Sequence, residues 1–327
     1  MKLSLPIFAT VLAGYFLLST LAQAQPPNPS LKKEATSESA NDGSKKSREE
    51  GLGNRWVNQA ARRVQAEPAL SADIRYRVDS FGHELVGQGS YRQFGIGVEK
   101  LLRLEVKIQV GDQAVTRQEI CGPQWYWLRR DTPFAPSFLG RVSLRQIRLG
   151  ISRVGAPSSG DPAGPWIMLG GLPKLLESLD RNFVFDEPRN DELQSTASDG
   201  AKERMEVILL TGRWKKDRLA GLTESKSGKL VDPIQLPDVV ELLLGRPDQP
   251  LPLFPYRISY LKEKKKKKAE GEATEAKLSP LMTMELFNVH RKGDIQASEF
   301  DYEPGNQEVQ DLTAAYLERL DLVPKPR

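Results

Sequence analysis

Leu101-Leu102-Arg103-Leu104-Glu105-Val106-Lys107-Ile108-Gln109-Val110 alternates apolar and polar residues over its whole length, the pattern of a strand with one face in a core and one in water. The same two-residue period spreads outward from it. Upstream, residues 71–81 place Ile74, Tyr76 and Val78 on one face and Arg75, Arg77 and Asp79 on the other. Gly82 and His83 then turn the chain into a run from Leu85 to Phe94 that passes through Gly87 and Gly89. Downstream, Gly111-Asp112 turns it into Val115 to Cys121, and Gly122-Pro123 turns it again into Trp125 to Arg130. This is an antiparallel meander with one apolar and one charged face, and it sets the fold class as mainly β.

The flanks are of other kinds. Residues 1–24 carry Lys2, a mixed apolar run and Ala22-Gln23-Ala24 before a Pro-rich stretch, the form of a secretory signal cleaved after Ala24. The reading therefore places the protein in the periplasm or otherwise outside the cytoplasm. Residues 25–53 have Pro26, Pro27 and Pro29 and then Ser, Lys, Glu and Asn without periodicity, so a disordered linker is expected. Asn54 is placed to cap a helix running to Glu67, with Trp56, Val57, Ala60, Ala61 and Val64 at helical spacing before Pro68. Residues 54–323 read as a single domain and 324–327 as a tail.

Beyond Arg130 the signals are sparser. Leu144 to Ile151 fits a short helix or a strand, and residues 156–165 are a Pro, Gly and Ser loop. Leu172, Leu175, Leu176 and Leu179 fall at i, i+3, i+4 and i+7 behind Pro173, which predicts a one-faced helix. Leu236, Val239, Val240 and Leu243 repeat the spacing behind Pro237, which predicts a second. Strands are expected at 182–186, 204–214, 256–262 and 281–290, the last with Met282, Met284 and Leu286 on one face. A short strand at 299–303 and a helix capped by Asp311, with Leu312, Tyr316, Leu317 and Leu320, close the chain. The total is roughly ten strands and four helices.

Composition narrows the function. With 47 Lys and Arg against 43 Asp and Glu, the chain lacks the basic excess of a nucleic-acid binder. Cys121 is alone, so no disulfide forms within the chain, and a buried strand-end thiol is its plain reading. His83 and His290 lie far apart, and with a single Cys they make no zinc set. There is no Gly-x-Ser-x-Gly elbow, no phosphate loop at Gly228-Lys229, and no dinucleotide motif at Gly95-x-Gly97. No cofactor, metal or catalytic residue is therefore expected. The run Lys264 to Lys268 reads as a solvated hairpin loop in preference to a contact with anionic lipid head groups, since Glu270, Glu272 and Glu275 partly cancel its charge.

Several of these pieces together resemble the LolA-like half-barrel superfamily of bacterial envelope proteins (the LolA, RseB and LppX type). The carrying features are the signal, the first helix, entry to the first strand through Ser71-Ala72-Asp73-Ile74, and Gly87-x-Gly89-x-Tyr91 on the second strand. To these are added Cys121-Gly122-Pro123-Gln124-Trp125-Tyr126-Trp127, and an ending from Met284 through Phe300, Pro304 and Val309 to Asp311. The resemblance implies a strongly bent antiparallel sheet, an open half-barrel whose apolar concave side is covered by short helices. It makes Ile74, Tyr76, Val78, Leu102, Leu104, Val106, Trp125, Trp127, Met282, Met284 and Leu286 candidate ligand-lining residues, and the two Leu-Pro helices a lid or plug. Its functional implication is a non-enzymatic carrier of a lipid, acyl chain or lipidated protein. An RseB-like sensor or protein-interaction module in the envelope, with a closed core and no ligand, is the alternative. The lining residues read equally well as a filled core or an openable one.

Overall fold

The computed structural model describes residues 51–80, 83–155, 165–196, 202–223, 236–264, 277–291 and 295–323. The signal, most of the linker, Gly82, Lys265 to Lys268 and the 324–327 tail lie outside the described residues. The described chain is mainly β, a curved and unclosed sheet of 13 strands with a few helices, matching the expected open half-barrel.

Helix α1 (Leu52–Ala66) leads into the meander: β1 (Ala69–Ser80), β2 (His83–Phe94), β3 (Leu101–Val110), β4 (Gln113–Cys121), β5 (Trp125–Thr132) and β6 (Ala135–Ser143). Helices α2 (Leu144–Val154), α3 (Trp166–Leu169) and α4 (Leu172–Asn182) follow. The second half adds β7 (Phe183–Phe185), β8 (Arg189–Thr196), β9 (Lys202–Trp214), α5 (Lys216–Thr223), β10 (Val239–Gly245), β11 (Pro255–Lys264) and β12 (Lys277–His290). A short β13 (Gln310–Asp311) and α6 (Thr313–Arg319) end it. The strand order is β13-β6-β5-β4-β3-β2-β1-β12-β11-β10-β9-β7, with β8 also on β9. All pairs are antiparallel except β13 on β6. The β1–β12 pairing joins the two halves into one sheet.

Several expectations are corrected. The second Leu-Pro helix does not form: Val239, Val240 and Leu243 lie in β10, a central strand between β9 and β11, with buried Leu236 just before it. Both faces of β10 are buried, so its continuous apolar run satisfies helical and strand spacing alike. Its neighbours on both sides then decide the matter. The strand at 299–303 is instead a 3-10 turn at Ala297–Phe300 and an extended segment. That segment is held by side chains: Arg92 pairs with Glu299, Arg103 donates to the Glu299 carbonyl at 2.9 Å, and Trp127 meets Tyr302 with ring centroids 5.2 Å apart.

Asn54 is not the cap of α1, which begins earlier, at Leu52. Its side chain is 1% exposed and is a docking group. Its Nδ2 donates to Asp180 Oδ1 at 2.7 Å and the Phe183 carbonyl at 2.9 Å, while its Oδ1 accepts from the Phe185 N–H at 2.8 Å. These bonds tie α1 to α4 and β7.

Candidate functional site

The cross-strand register sorts the sheet into rows. Calling the helix-bearing side the inner face, one row runs Leu286, Ile74, Gly89, Val106, Arg117, Arg130 and Phe138. The next, one step toward the β1–β2 turn, runs Leu242, Ile258, Met284, Tyr76, Gly87, Ile108 and Val115. A third holds Tyr260, Met282, Val78 and Leu85. Toward the other end of the strands the same face carries Tyr91, Leu104 and Glu119 in one row and Leu102, Cys121 and Tyr126 in the next.

The glycines let β2 close on β3. A Cβ on Gly89 would stand 1.8 Å from the Glu105 carbonyl oxygen, and one on Gly87 would stand 2.7 Å from Ile108 Cγ1. Only glycine permits that approach, and the strands can then bend sharply.

Helices plug one end of this face. Gln93 donates from Nε2 to the Val64 and Glu67 carbonyls, and Lys100 Nζ donates to the Gln65 carbonyl at 3.1 Å and to those of Val64 and Glu67, so both hold the end of α1. Burial lowers the Lys100 ammonium to about 8, although Glu67 opposes the shift. Tyr91 seats the start of α4: its hydroxyl accepts from the Leu172 N–H at 3.3 Å and donates to Gln93 Oε1 at 3.0 Å. Gly171 there has φ +79°, and a Cβ would stand 2.5 Å from that hydroxyl. In α4, Leu172, Leu175, Leu176 and Leu179 are all buried, as a dependent one-faced helix requires.

The other end is less closed. Ile74, Val78, Leu102, Leu104, Val106, Met284 and Leu286 are buried, whereas Tyr76 and Met282 are half-buried. The Tyr76 hydroxyl donates to Met284 Sδ at 3.0 Å, and burial chiefly, with the Glu119 carboxylate, raises its pKa. Trp125 and Trp127 do not line this face. Tyr126 and Leu128 take the inward positions of β5, which leaves the two tryptophans outside, Trp127 against Ile120, Ile295 and Phe300 and Trp125 under the Arg141 guanidinium.

Sequence reasoning passed over a polar group on the inner face. Glu119 is 4% exposed; its Oε1 accepts from Arg117 Nε at 2.7 Å and its Oε2 from the Tyr126 hydroxyl at 2.6 Å. Tyr316 of α6 lies against Tyr126 with ring centroids 6.1 Å apart. Arg130 stands directly opposite Arg117, with its guanidinium 4.6 Å from the Phe138 ring centroid. Burial, followed by the charge of Arg117, lowers the Arg130 pKa. Burial alone would lower Arg117 too, but the Glu119 carboxylate outweighs it and raises the value. The available signal was two charges two residues apart, Arg117 and Glu119, at the inward positions of an otherwise apolar strand face.

Among the described residues no three His, Cys, Asp or Glu side chains stand together as a metal site, and no helix is long and apolar enough to cross a membrane. A cavity of about 440 Å3 lies elsewhere, between α5 and the start of β10, lined by Trp214, Leu219, Leu236, Pro237 and Lys262 among others. It shares no residue with the inner-face rows.

No protein-family model and no curated protein matches the chain. Among solved structures it is similar to a DUF1329 family protein from Desulfovibrio piger, at 10% identity and a TM-score of 0.32 over 76% of this chain and 96% of that one. It is also similar to a proposed outer membrane lipoprotein-sorting protein domain from Vibrio parahaemolyticus, at 9% identity and a TM-score of 0.30 over 76% and 95%. Likenesses this distant carry no functional argument.

Proposed function

We propose that this is an exported, non-enzymatic envelope protein that holds a lipid, an acyl chain or a lipidated protein on the inner face of its half-barrel. The observation that carries the reading is the gradient of closure along that face. At the plugged end Leu70, Tyr91, Leu102 and Tyr126 are 0% exposed, while at the other end Tyr76, Leu85, Val110 and Met282 are half-buried. An acyl chain entering there meets Met284, Ile108 and Val106 in succession, and the unbranched, polarisable methionines can repack around it. The helix lock at the far end stays in place.

The test is native mass spectrometry with lipid extraction on the mature protein taken gently from its own envelope fraction. A bound acylated species that Met282→Asp removes, with circular dichroism unchanged, supports the proposal. An apo mass together with no uptake of a fluorescent fatty acid overturns it. In that case the RseB-like reading gains, since the Asn54, Tyr91, Gln93 and Lys100 bonds are those of a sheet whose helices stay shut, and cross-linking in the envelope would seek its protein partner.

A further inference from the structure

We infer that the protein docks on an anionic lipid surface through the outward crests of helices α1 and α2. This goes beyond the carrier reading and stands without it. The chain as a whole is nearly balanced, with 47 Lys and Arg against 43 Asp and Glu, yet α1 and α2 carry three arginines each and no carboxylate. Helix α4 sets Lys174 and Arg181 against Glu177 and Asp180, so the excess belongs to these two helices and not to the helices in general.

Helical spacing puts the charge on one side of each. Helix α1 buries Val57, Ala60, Ala61 and Val64 and leaves Leu52, Arg55, Arg62 and Arg63 exposed. Helix α2 buries Leu144, Ile147 and Gly150 and leaves Arg145, Leu149 and Arg153 exposed, at i, i+4 and i+8. The carboxylates at the end of α1 and along α4 are engaged elsewhere, Glu67 with Arg291, Glu177 with Lys174 and Asp180 with Asn54. Helix α6, which packs on α2, adds Glu318 and Arg319, which balance.

Leu52 and Leu149 are exposed apolar side chains among these arginines. A helix lying on a bilayer has this form, with cations at the level of the head groups and an apolar side chain beside them entering the acyl boundary. The arginines are strung out, roughly 12 Å along the axis from Arg55 to Arg63 and again from Arg145 to Arg153, so they suit an extended surface better than a single bound anion. Neither convex crest has an aromatic anchor, the mark of a protein interface.

The experiment is co-sedimentation of the mature protein with phosphatidylcholine vesicles, with and without a quarter of phosphatidylglycerol. Binding to the anionic vesicles alone, released by high salt, is expected. A basic residue held near such a surface contributes about fivefold in partitioning, so Arg62→Gln with Arg63→Gln, and separately Arg145→Gln with Arg153→Gln, should each lower it roughly 25-fold. Leu149→Ser leaves the charge alone and should lower it about fivefold, the share of a half-exposed leucine. These side chains are exposed, so circular dichroism should not change. Arg77→Gln with Arg204→Gln removes the same charge from exposed positions on β1 and β9 and should leave binding unchanged. Equal loss in that control pair, binding unmoved by the helix variants, or no preference for the anionic vesicles overturns the inference and leaves the carrier reading standing. Retention on immobilised polyglutamate with none on anionic vesicles also overturns it, in favour of an acidic protein partner.

Discussion

Replacing Asn54 with alanine should be among the most damaging single changes in the first helix, although the residue reads in sequence as an ordinary cap. The side chain is buried, and the backbone groups it satisfies belong to Phe183 and Phe185, each 0% exposed. Truncation leaves the Phe185 N–H and the Phe183 carbonyl without that partner and deprives the Asp180 carboxylate of a donor at 2.7 Å. A buried group that loses its hydrogen bond costs about 1–3 kcal/mol, and the effects are not additive, so a total of about 3–5 kcal/mol is expected. That is a large part of the roughly 5–15 kcal/mol that holds a domain together. Equilibrium urea unfolding measures it as a shift in midpoint at constant slope, and hydrogen exchange at the Phe185 amide should accelerate in parallel. Asn54→Asp should be at least as harmful near neutral pH, because it sets a second carboxylate against Asp180. Asn58→Ala, one turn on and half-buried, is the control, at about 0.5 kcal/mol or less. Stability of Asn54→Ala within about 1 kcal/mol of the parent would refute the docking role.

Three further outcomes follow from the same geometry. Gly89→Ala should cost more than about 3 kcal/mol, since its Cβ meets backbone 1.8 Å away, whereas Gly111→Ala, with φ +63° and nothing nearby, should cost about 1 kcal/mol; thermal unfolding of the pair checks the contrast. Burial pushes the Cys121 thiol up to about 12, with Arg148 opposing and Glu119 adding, so a disulfide reagent at pH 8 should leave the folded protein unmodified and react at once in urea; prompt reaction without urea would contradict the burial. Lys100 loses its proton at about 8 when folded and at 10.5 when free, so the unfolded chain holds more protons in between and stability should rise with pH across that window. Subtracting the curve of Lys100→Met isolates this rise from the opposing loss that Cys121 causes above pH 9, and identical slopes in the two proteins would dismiss it.

What the sequence makes legible is whatever depends on one neighbour at a time. Leu102, Leu104, Val106 and Ile108 sit on one face because the strand period alone puts them there, and Met282, Met284 and Leu286 face Val78, Tyr76 and Ile74 as their alternation requires. Local pattern fails where two solutions satisfy it equally. Val239 and Val240 fit a helix stripe, yet β9 and β11 bury both sides of their run, and nothing within the run itself records those neighbours. Trp127 fails differently: alternation correctly sets it with Trp125 on one face of β5, but size suggests the core, and the outward cover given by Ile295, Phe300 and Tyr302 comes from a segment remote in sequence.

The site divides along the same line. The apolar rows could be read in advance because each strand announces its own inward residues. The charged corner could not, because Arg117, Glu119, Tyr126, Arg130 and Tyr316 gain meaning only when β4, β5 and α6 converge.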